Sequence, residues 1–365
     1  METGSFLRKY PHLKGHRQIR PLTQALVASH HGGQLPYWKV LVERMMDRGL
    51  LEAIFSTSTV AAGVNFPART VVLFQSDRFN GHEFVNLRPT ELHQMIGRAG
   101  RRGKDRIGFS LIKPGPYQNP EIIHELERAP ADPLVSQIRI NFSMTLNLLL
   151  SHTPQEVKAL LKDSFAAFQE KGSGRNLWFI FKKHLHFLKE TGFVDEADRL
   201  TFDGIWASNL RLDQPLVIAE AIRTGAFDGI TPDTMPAGLA PFVWDREQEV
   251  HLKSHAGPTL AAVESVFSRL MAHVADIQAL KEKKGFESPP LMFWPSAALY
   301  AWARGAVWKD LLHFTPISEG DMASLIMRTA DHLRQVTALR ETHPQLAAIA
   351  GEGIGRILRE PVYVI

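Results

Sequence analysis

Cysteine is absent from all 365 residues, which excludes disulfides, thiolate zinc sites and thiol nucleophiles. Long apolar runs are missing as well. None approaches the ~20 residues that a bilayer-crossing helix needs, so no membrane partner is expected. The stretch from Met1 to Arg20 is basic and polar and has no apolar h-region. No secretory leader is therefore expected, and the expected location is the cytoplasm. Internal repeats and low-complexity tracts are also lacking. The phosphate-cradling pattern G-x-x-x-x-G-K-[ST] does not occur. Gly103-Lys104-Asp105 comes nearest, without the leading glycine or the hydroxyl. Without that loop, no lysine of this chain reaches nucleotide β- and γ-phosphates and no hydroxyl holds their Mg²⁺.

What is present is an ordinary globular composition, 44% hydrophobic and 22% charged, in a chain long enough for two or three domains. Charge is uneven. Residues 1–110 carry 16 Lys/Arg against 8 Asp/Glu, while the remainder carries 26 against 30. A basic excess confined to one third of a chain suits a surface that faces phosphates.

Hydrophobic patterning predicts alternating short strands and helices over residues 20–113. Ala25–Ser29, a buried Ala53–Phe55, Thr70–Phe74 and Ile107–Ile112 read as strands. Pro36 to Arg48 reads as a helix ended by Gly49, with Trp38, Leu41, Val42, Met45 and Met46 on one face. A second helix starts at Pro89, with Glu91 favouring its dipole. This alternation predicts a parallel sheet with helices on its faces. Lys113-Pro114-Gly115-Pro116 interrupts the pattern. From about Pro130 the chain reads as helical, with one small hairpin between Val194 and Leu200. Thr231–Pro241, rich in Pro and Gly, reads as a connector to long helices. In Pro258–Lys284 the spacing of Val263, Phe267, Leu270, Val274 and Ile277 predicts a helix packed along one seam. Ser318 with Asp321 predicts a capped helix start.

Chemistry concentrates in Gln94-Met95-Ile96-Gly97-Arg98-Ala99-Gly100-Arg101-Arg102-Gly103. A helix is expected to end at Gly97, after which the glycines permit sharp turns and close backbone approach. Arg98 and Arg101 then project from one compact turn. Arginine stays charged and offers a planar donor fork that matches phosphate oxygens. A cation so placed stabilises the charge on a transferring phosphoryl group, an effect worth about 10³–10⁵ in rate.

This segment resembles motif VI of superfamily-two helicases, and other blocks follow in the order of that family. Ser29-His30-His31-Gly32-Gly33-Gln34-Leu35-Pro36 resembles its His-His-Gly block. Thr57-Ser58-Thr59-Val60-Ala61-Ala62-Gly63-Val64-Asn65-Phe66-Pro67-Ala68 resembles motif V. Asp132-Pro133-Leu134, Ser136-Gln137, Asn147-Leu148-Leu149, Ser164-Phe165 and Phe168-Gln169 resemble the segment beyond motif VI in superkiller-type DExH helicases. Glu319-Gly320-Asp321 and Arg328 match part of the terminal helical signature, with Ser324 and Met327 in place of two usual arginines.

The resemblance implies an α/β RecA-like domain (parallel sheet, helices on both faces) over 1–125, a winged helix over 126–212 and a mostly α-helical, ratchet-like domain over 213–365. It implies that Gln94, Arg98 and Arg101 contact ATP, with Gly63, Asn65, Gly97 and Gly100 beside the nucleotide. Thr57, Thr59, His31 and Arg328 would touch a nucleic-acid strand. The expected function is the C-terminal part of an ATP-dependent helicase or translocase, using ATP with Mg²⁺. Its first RecA-like domain, from the same or a separate chain, would hold the P-loop, and the chain would be inactive without it. The alternative is a non-catalytic nucleic-acid-binding module. No metal site is expected at His30 and His31, because adjacent strand residues point oppositely and no carboxylate partner is evident in the sequence. Trp294, Trp302 and Trp308 offer base stacking, although core packing is the commoner fate of tryptophan. The literal string Asp195-Glu196-Ala197-Asp198 is read as a solvated turn at a hairpin tip, since a Walker B carboxylate ends an apolar strand and precedes motif V.

Overall fold

The computed structural model describes residues 2–57, 68–80, 83–170, 175–246, 250–253 and 260–363. The chain divides into two compact units, Met1–Leu134 and Val135–Ile365.

The first unit opens with α1 (Glu2–Lys9), a 3-10 turn at Pro11–Gly15 and α2 (Ile19–Ala25). Phe6, Tyr10, Leu13 and Leu22 bury themselves there, and the Tyr10 ring lies 4.4 Å from that of Tyr37. Leu26 adopts the left-handed conformation (φ 54°) that ends α2. The first strand consequently starts two residues later than the apolar run suggests. β1 (Val27–His30) pairs in parallel with β2 (Ala53–Ser56), Val27 opposite Ala53 and His30 opposite Ser56. Between them runs α3 (Pro36–Asp47), which begins on Pro36 and buries Tyr37, Trp38, Leu41, Val42 and Met45. Gly49 at φ 66° turns the chain out of it.

β3 (Thr70–Leu73) pairs in parallel with β6 (Phe109–Ile112). An antiparallel hairpin, β4 (Asp77–Phe79) and β5 (Phe84–Asn86), lies between them in sequence. It is followed by α4 (Pro89–Ile96), and α5 (Pro120–Arg128) comes after β6. Leu73, Leu87, Leu92 and Ile123 form one buried cluster, backed by Val71, Met95, Ile96 and Leu126. The alternation of strand side chains explains the asymmetry of this layer. Val71 and Leu73 face α4 and α5, while Val72 remains 42% exposed on the other side.

Two expectations are corrected here. Among the described residues the four parallel strands form two separate pairs rather than one continuous sheet. β2 is also not buried, since Phe55 is 56% exposed. Its ring lies tilted against that of Phe74, at 6.4 Å.

The second unit is helical. It comprises α6 (Phe142–Leu149), α7 (Pro154–Lys162), α8 (Phe165–Gln169), α9 (Arg175–Glu190), α10 (Phe202–Ala207), α11 (Pro215–Arg223), α12 (Met235–Val243), α13 (Ala261–Lys283), α14 (Phe293–Ala303), α15 (Trp308–Phe314), α16 (Glu319–Thr337) and α17 (Pro344–Ile357). α12 overturns the reading of Thr231–Pro241 as a connector, because Met235–Val243 is helical and buried along its whole length. Pro236 lies in its first turn, where a missing N–H costs nothing. Gly238, Ala237 and Ala240 allow neighbours to approach closely, and the Phe227 ring stands 3.0 Å from where a Cβ on Gly238 would lie. The seam of α13 forms as its spacing predicts, with Val263, Leu270, Val274 and Ile277 buried and Phe267 packed edge-on against Phe293. Ser318 caps α16 by accepting the Asp321 N–H at 3.1 Å.

Between α9 and α10, Val194 and Leu200 form a single antiparallel bridge. The intervening Asp195 carboxylate accepts the N–H groups of Ala197 and Arg199, both at 2.9 Å. Asp195–Asp198 is thus a tight, self-capped turn, with Asp198 at φ 64°.

Candidate functional site

α4 delivers the glycine–arginine segment to one edge of the β3–β6 pair. Glu91 in its first turn accepts the Arg88 N–H at 3.0 Å and pairs with the Arg78 guanidinium at 2.7 Å. Leu92 is buried below, which leaves Gln94 exposed on the outer face. The helix ends at Gly97, where a Cβ would approach the His93 carbonyl oxygen to 2.8 Å.

Beyond Gly97 the backbone is pinned to the start of β3. The Ala68 N–H donates to the Arg98 carbonyl at 2.9 Å, and the Gly100 N–H donates to the Ala68 carbonyl at 2.7 Å. Gly100 lies at φ 88°, a conformation that a side chain would strain. Gly108 crosses so close behind that a Cβ on it would lie 2.5 Å from the Ala99 carbonyl carbon. Arg98 and Arg101 therefore flank a turn held by backbone bonds on one side and by a glycine crossing on the other.

The turn closes through Asp105. The N–H groups of Lys104 and Asp105 both donate to the Arg101 carbonyl, at 3.0 and 2.9 Å. Asp105 Oδ2 accepts from the Arg101 backbone N–H at 2.9 Å and from its Nε at 2.8 Å, and Oδ1 accepts from Nη2 at 3.0 Å. The Arg101 guanidinium holds the Asp105 carboxyl down to about 2, so the pair stays ionised at any physiological pH. Sequence reasoning missed Asp105, although an acid four residues after an arginine in a glycine-rich turn is a legible signal.

His31 follows β1 and Thr57 follows β2, and the parallel register of these strands places both at the same edge. His31 Nδ1 accepts the Gly33 N–H at 3.2 Å. Burial and the nearby Arg17 keep its imidazole below the usual range. Its neighbour His30 points the other way and is buried, with Nε2 2.9 Å from Glu43 Oε1. The carboxylate partner not evident in the sequence is thus supplied by α3. Thr59, Gly63 and Asn65 lie outside the described residues.

Two comparisons bear on these blocks. The helicase conserved C-terminal domain family matches residues 13–103, and the DSHCT (NUC185) domain family matches residues 197–364. The chain corresponds to a C-terminal portion of a superkiller-like superfamily-two helicase. Similar proteins include the chloroplastic DExH-box ATP-dependent RNA helicase DExH15 of Arabidopsis thaliana, 43% identical over 34% of this chain and 10% of that protein. The human exosome RNA helicase MTR4 is 38% identical over 41% of this chain and 14% of its own length. Mouse superkiller complex protein 2 is 40% identical over 52% of this chain and 15% of its own length. The match thus spans about a tenth to a seventh of these relatives.

Within this helicase portion, Arg328 of α16 is engaged by two carboxylates, Asp213 at 2.9 Å and Asp245 at 3.5 Å. Of the three tryptophans considered for base stacking, Trp294 and Trp302 are core residues and Trp308 is half-buried. Trp302 is fully buried and donates its indole N–H to the Ile357 carbonyl at 2.8 Å. Trp308 packs edge-on against it at 5.5 Å, and Trp294 is buried against Trp244 at 4.7 Å. No helix among the described residues is long and apolar enough to cross a membrane.

Proposed function

We propose that this chain supplies the arginine fingers and part of the strand-binding surface of an ATP-dependent nucleic-acid helicase. Residues 1–125 act as its second RecA-like domain, 126–212 as a winged helix and 213–365 as a helical, ratchet-like domain. The observation that carries the reading is the glycine-folded loop from Gly97 to Asp105, whose pinned backbone carries both Arg98 and Arg101. The match to the DSHCT family over 197–364 supports the helical assignment, and the bridged turn between α9 and α10 supports a wing.

ATP with Mg²⁺, when bound, supplies the phosphoanhydride whose cleavage drives movement along a strand. Its phosphates are cradled by a P-loop that this chain does not contain. Arg98 and Arg101 then offset charge on the phosphoryl group, and Gln94, one turn earlier on the exposed face of α4, orients toward the same nucleotide, with Gly63, Asn65, Gly97 and Gly100 lining it. Thr57, Thr59, His31 and Arg328 hold the sugar–phosphate strand without reading bases. The names of the chloroplast and exosome relatives favour RNA as that strand.

The test is reconstitution with the P-loop domain. The chain alone is expected to show no ATPase, and the reconstituted enzyme to lose about 10³-fold in kcat on Arg101→Ala while retaining strand binding. ATPase in the chain alone would overturn the reading. Uniform loss of strand binding in Arg101→Ala would favour a non-catalytic binding module.

A further inference from the structure

A guanidinium has two donor edges. The side-on edge is Nε with Nη2, and the end-on edge is Nη1 with Nη2. Asp105 takes the side-on edge of Arg101 with both carboxylate oxygens, and the same carboxylate is tied to the Arg101 backbone N–H. Among the described residues no other hydrogen bond or ion pair engages the Arg101 guanidinium. The Arg101 side chain stays 41% exposed while that of Asp105 is only 10% exposed. The carboxylate is thus the more buried partner of the pair and the guanidinium the more exposed one.

We propose that Asp105 is the positioning residue for Arg101: it grips the guanidinium side-on and leaves the end-on fork aimed outward for two oxygens of a phosphoryl group held by the P-loop domain. This inference rests on the finger reading above. Arginine is long and samples many rotamers, so an untethered finger must be ordered in each catalytic cycle. Tethering orders it in advance, which is where positioned charge gains its catalytic effect. The backbone prepares the arrangement, because Gly103 at φ 75° reverses the chain so that residue 105 returns beneath residue 101. The low carboxyl pKa agrees, since it keeps the gripping group anionic throughout the working range.

Asp105→Asn separates the grip from the turn. Its side-chain oxygen, in the place of Oδ2, still accepts the Arg101 backbone N–H and Nε–H, but its NH₂, in the place of Oδ1, faces the Nη2 donor and cannot hold it. In the isolated chain, the Arg101 Nη2 proton resonance is expected to be sharp and slowly exchanging, and to broaden or vanish in Asp105→Asn while the methyl signals of Leu73 and Leu92 stay unchanged. In the reconstituted helicase, Asp105→Asn is expected to lower kcat by about 10–100-fold with KM for ATP unchanged, and Asp105→Glu to restore part of the loss. Should Asp105→Asn perturb the fold, the Glu variant, which retains charge, carries the test through the same kcat and KM split. Unchanged or raised kcat in Asp105→Asn, with Arg101→Ala still inactive, overturns the positioning role and leaves the finger reading intact. Unchanged kcat in Arg101→Ala overturns both.

Discussion

Thr90 and Asp132 exchange two hydrogen bonds across 42 residues of sequence: Asp132 Oδ2 accepts the Thr90 N–H at 3.0 Å, and Thr90 Oγ1 accepts the Asp132 N–H at 2.8 Å. The pair ties the segment after α5 to the first turn of α4, the helix that carries Gln94 and leads into the arginine loop. The Thr90 hydroxyl and N–H hold the Asp132 carboxyl below the ordinary carboxylate range. A carboxylate on the N-terminal N–H groups of a helix satisfies donors that have no intrahelical partner.

Asp132→Ala is therefore expected to loosen the start of α4 without disturbing the second unit. Amide exchange at Glu91, Leu92 and His93 should accelerate and the unfolding midpoint of the first unit should fall by several degrees. Unaltered exchange at these amides would show that the helix start is held by the Glu91 contacts alone.

His16 makes the first unit sensitive to acid. It stacks on Trp38, with ring centroids 3.9 Å apart, and burial together with the nearby Arg17 lowers its pKa to about 4. The folded protein thus prefers neutral imidazole, whereas the unfolded chain takes up its proton near the ordinary histidine value of 6.5. Between these values the unfolded state binds more protons, so stability must fall as pH drops from about 6.5 to about 4 and level off below. His31, lowered by burial in the same unit, acts in the same direction. Thermal unfolding followed from pH 7 to pH 4 is expected to show this decline, with a shallower slope in His16→Gln. An identical slope in that variant would assign the acid sensitivity elsewhere.

Trp302 is expected to behave as a core residue and not as a base-stacking platform. It is fully buried, bonded to the Ile357 carbonyl, and covered by the Arg359 guanidinium 3.3 Å from its ring centroid. Trp302→Ala should destabilise the second unit by about 3–5 kcal/mol, as large-to-small changes in packed cores do, measured by denaturant unfolding. The folded fraction should bind single strands as the parent chain does. Selective loss of strand affinity at unchanged stability would reverse this assignment.

Several features were legible in the chain because they depend on neighbours in sequence. Pro36 and Gly49 bracket α3, Ser318 with Asp321 starts α16, and the spacing of apolar residues in α13 names its buried seam. The arginine loop was legible for the same reason, since its glycines and arginines specify a turn whatever surrounds it. Even the grip of Asp105 on Arg101 had a local signature, an acid four residues after its cation, although its bidentate geometry needed coordinates.

By itself, then, the sequence determined the local conformations and the chemical character of the loop, because φ preferences, caps and charge act over a few residues. Tertiary structure alone decided that the Pro/Gly-rich run around Gly238 becomes a buried helix, that Phe55 stays in water, that Glu43 reaches His30, and that Trp302 is core. It also decided the bond between Thr90 and Asp132. Each of these depends on which distant segments approach one another. That approach is governed by the packing of whole faces, which no local spacing encodes.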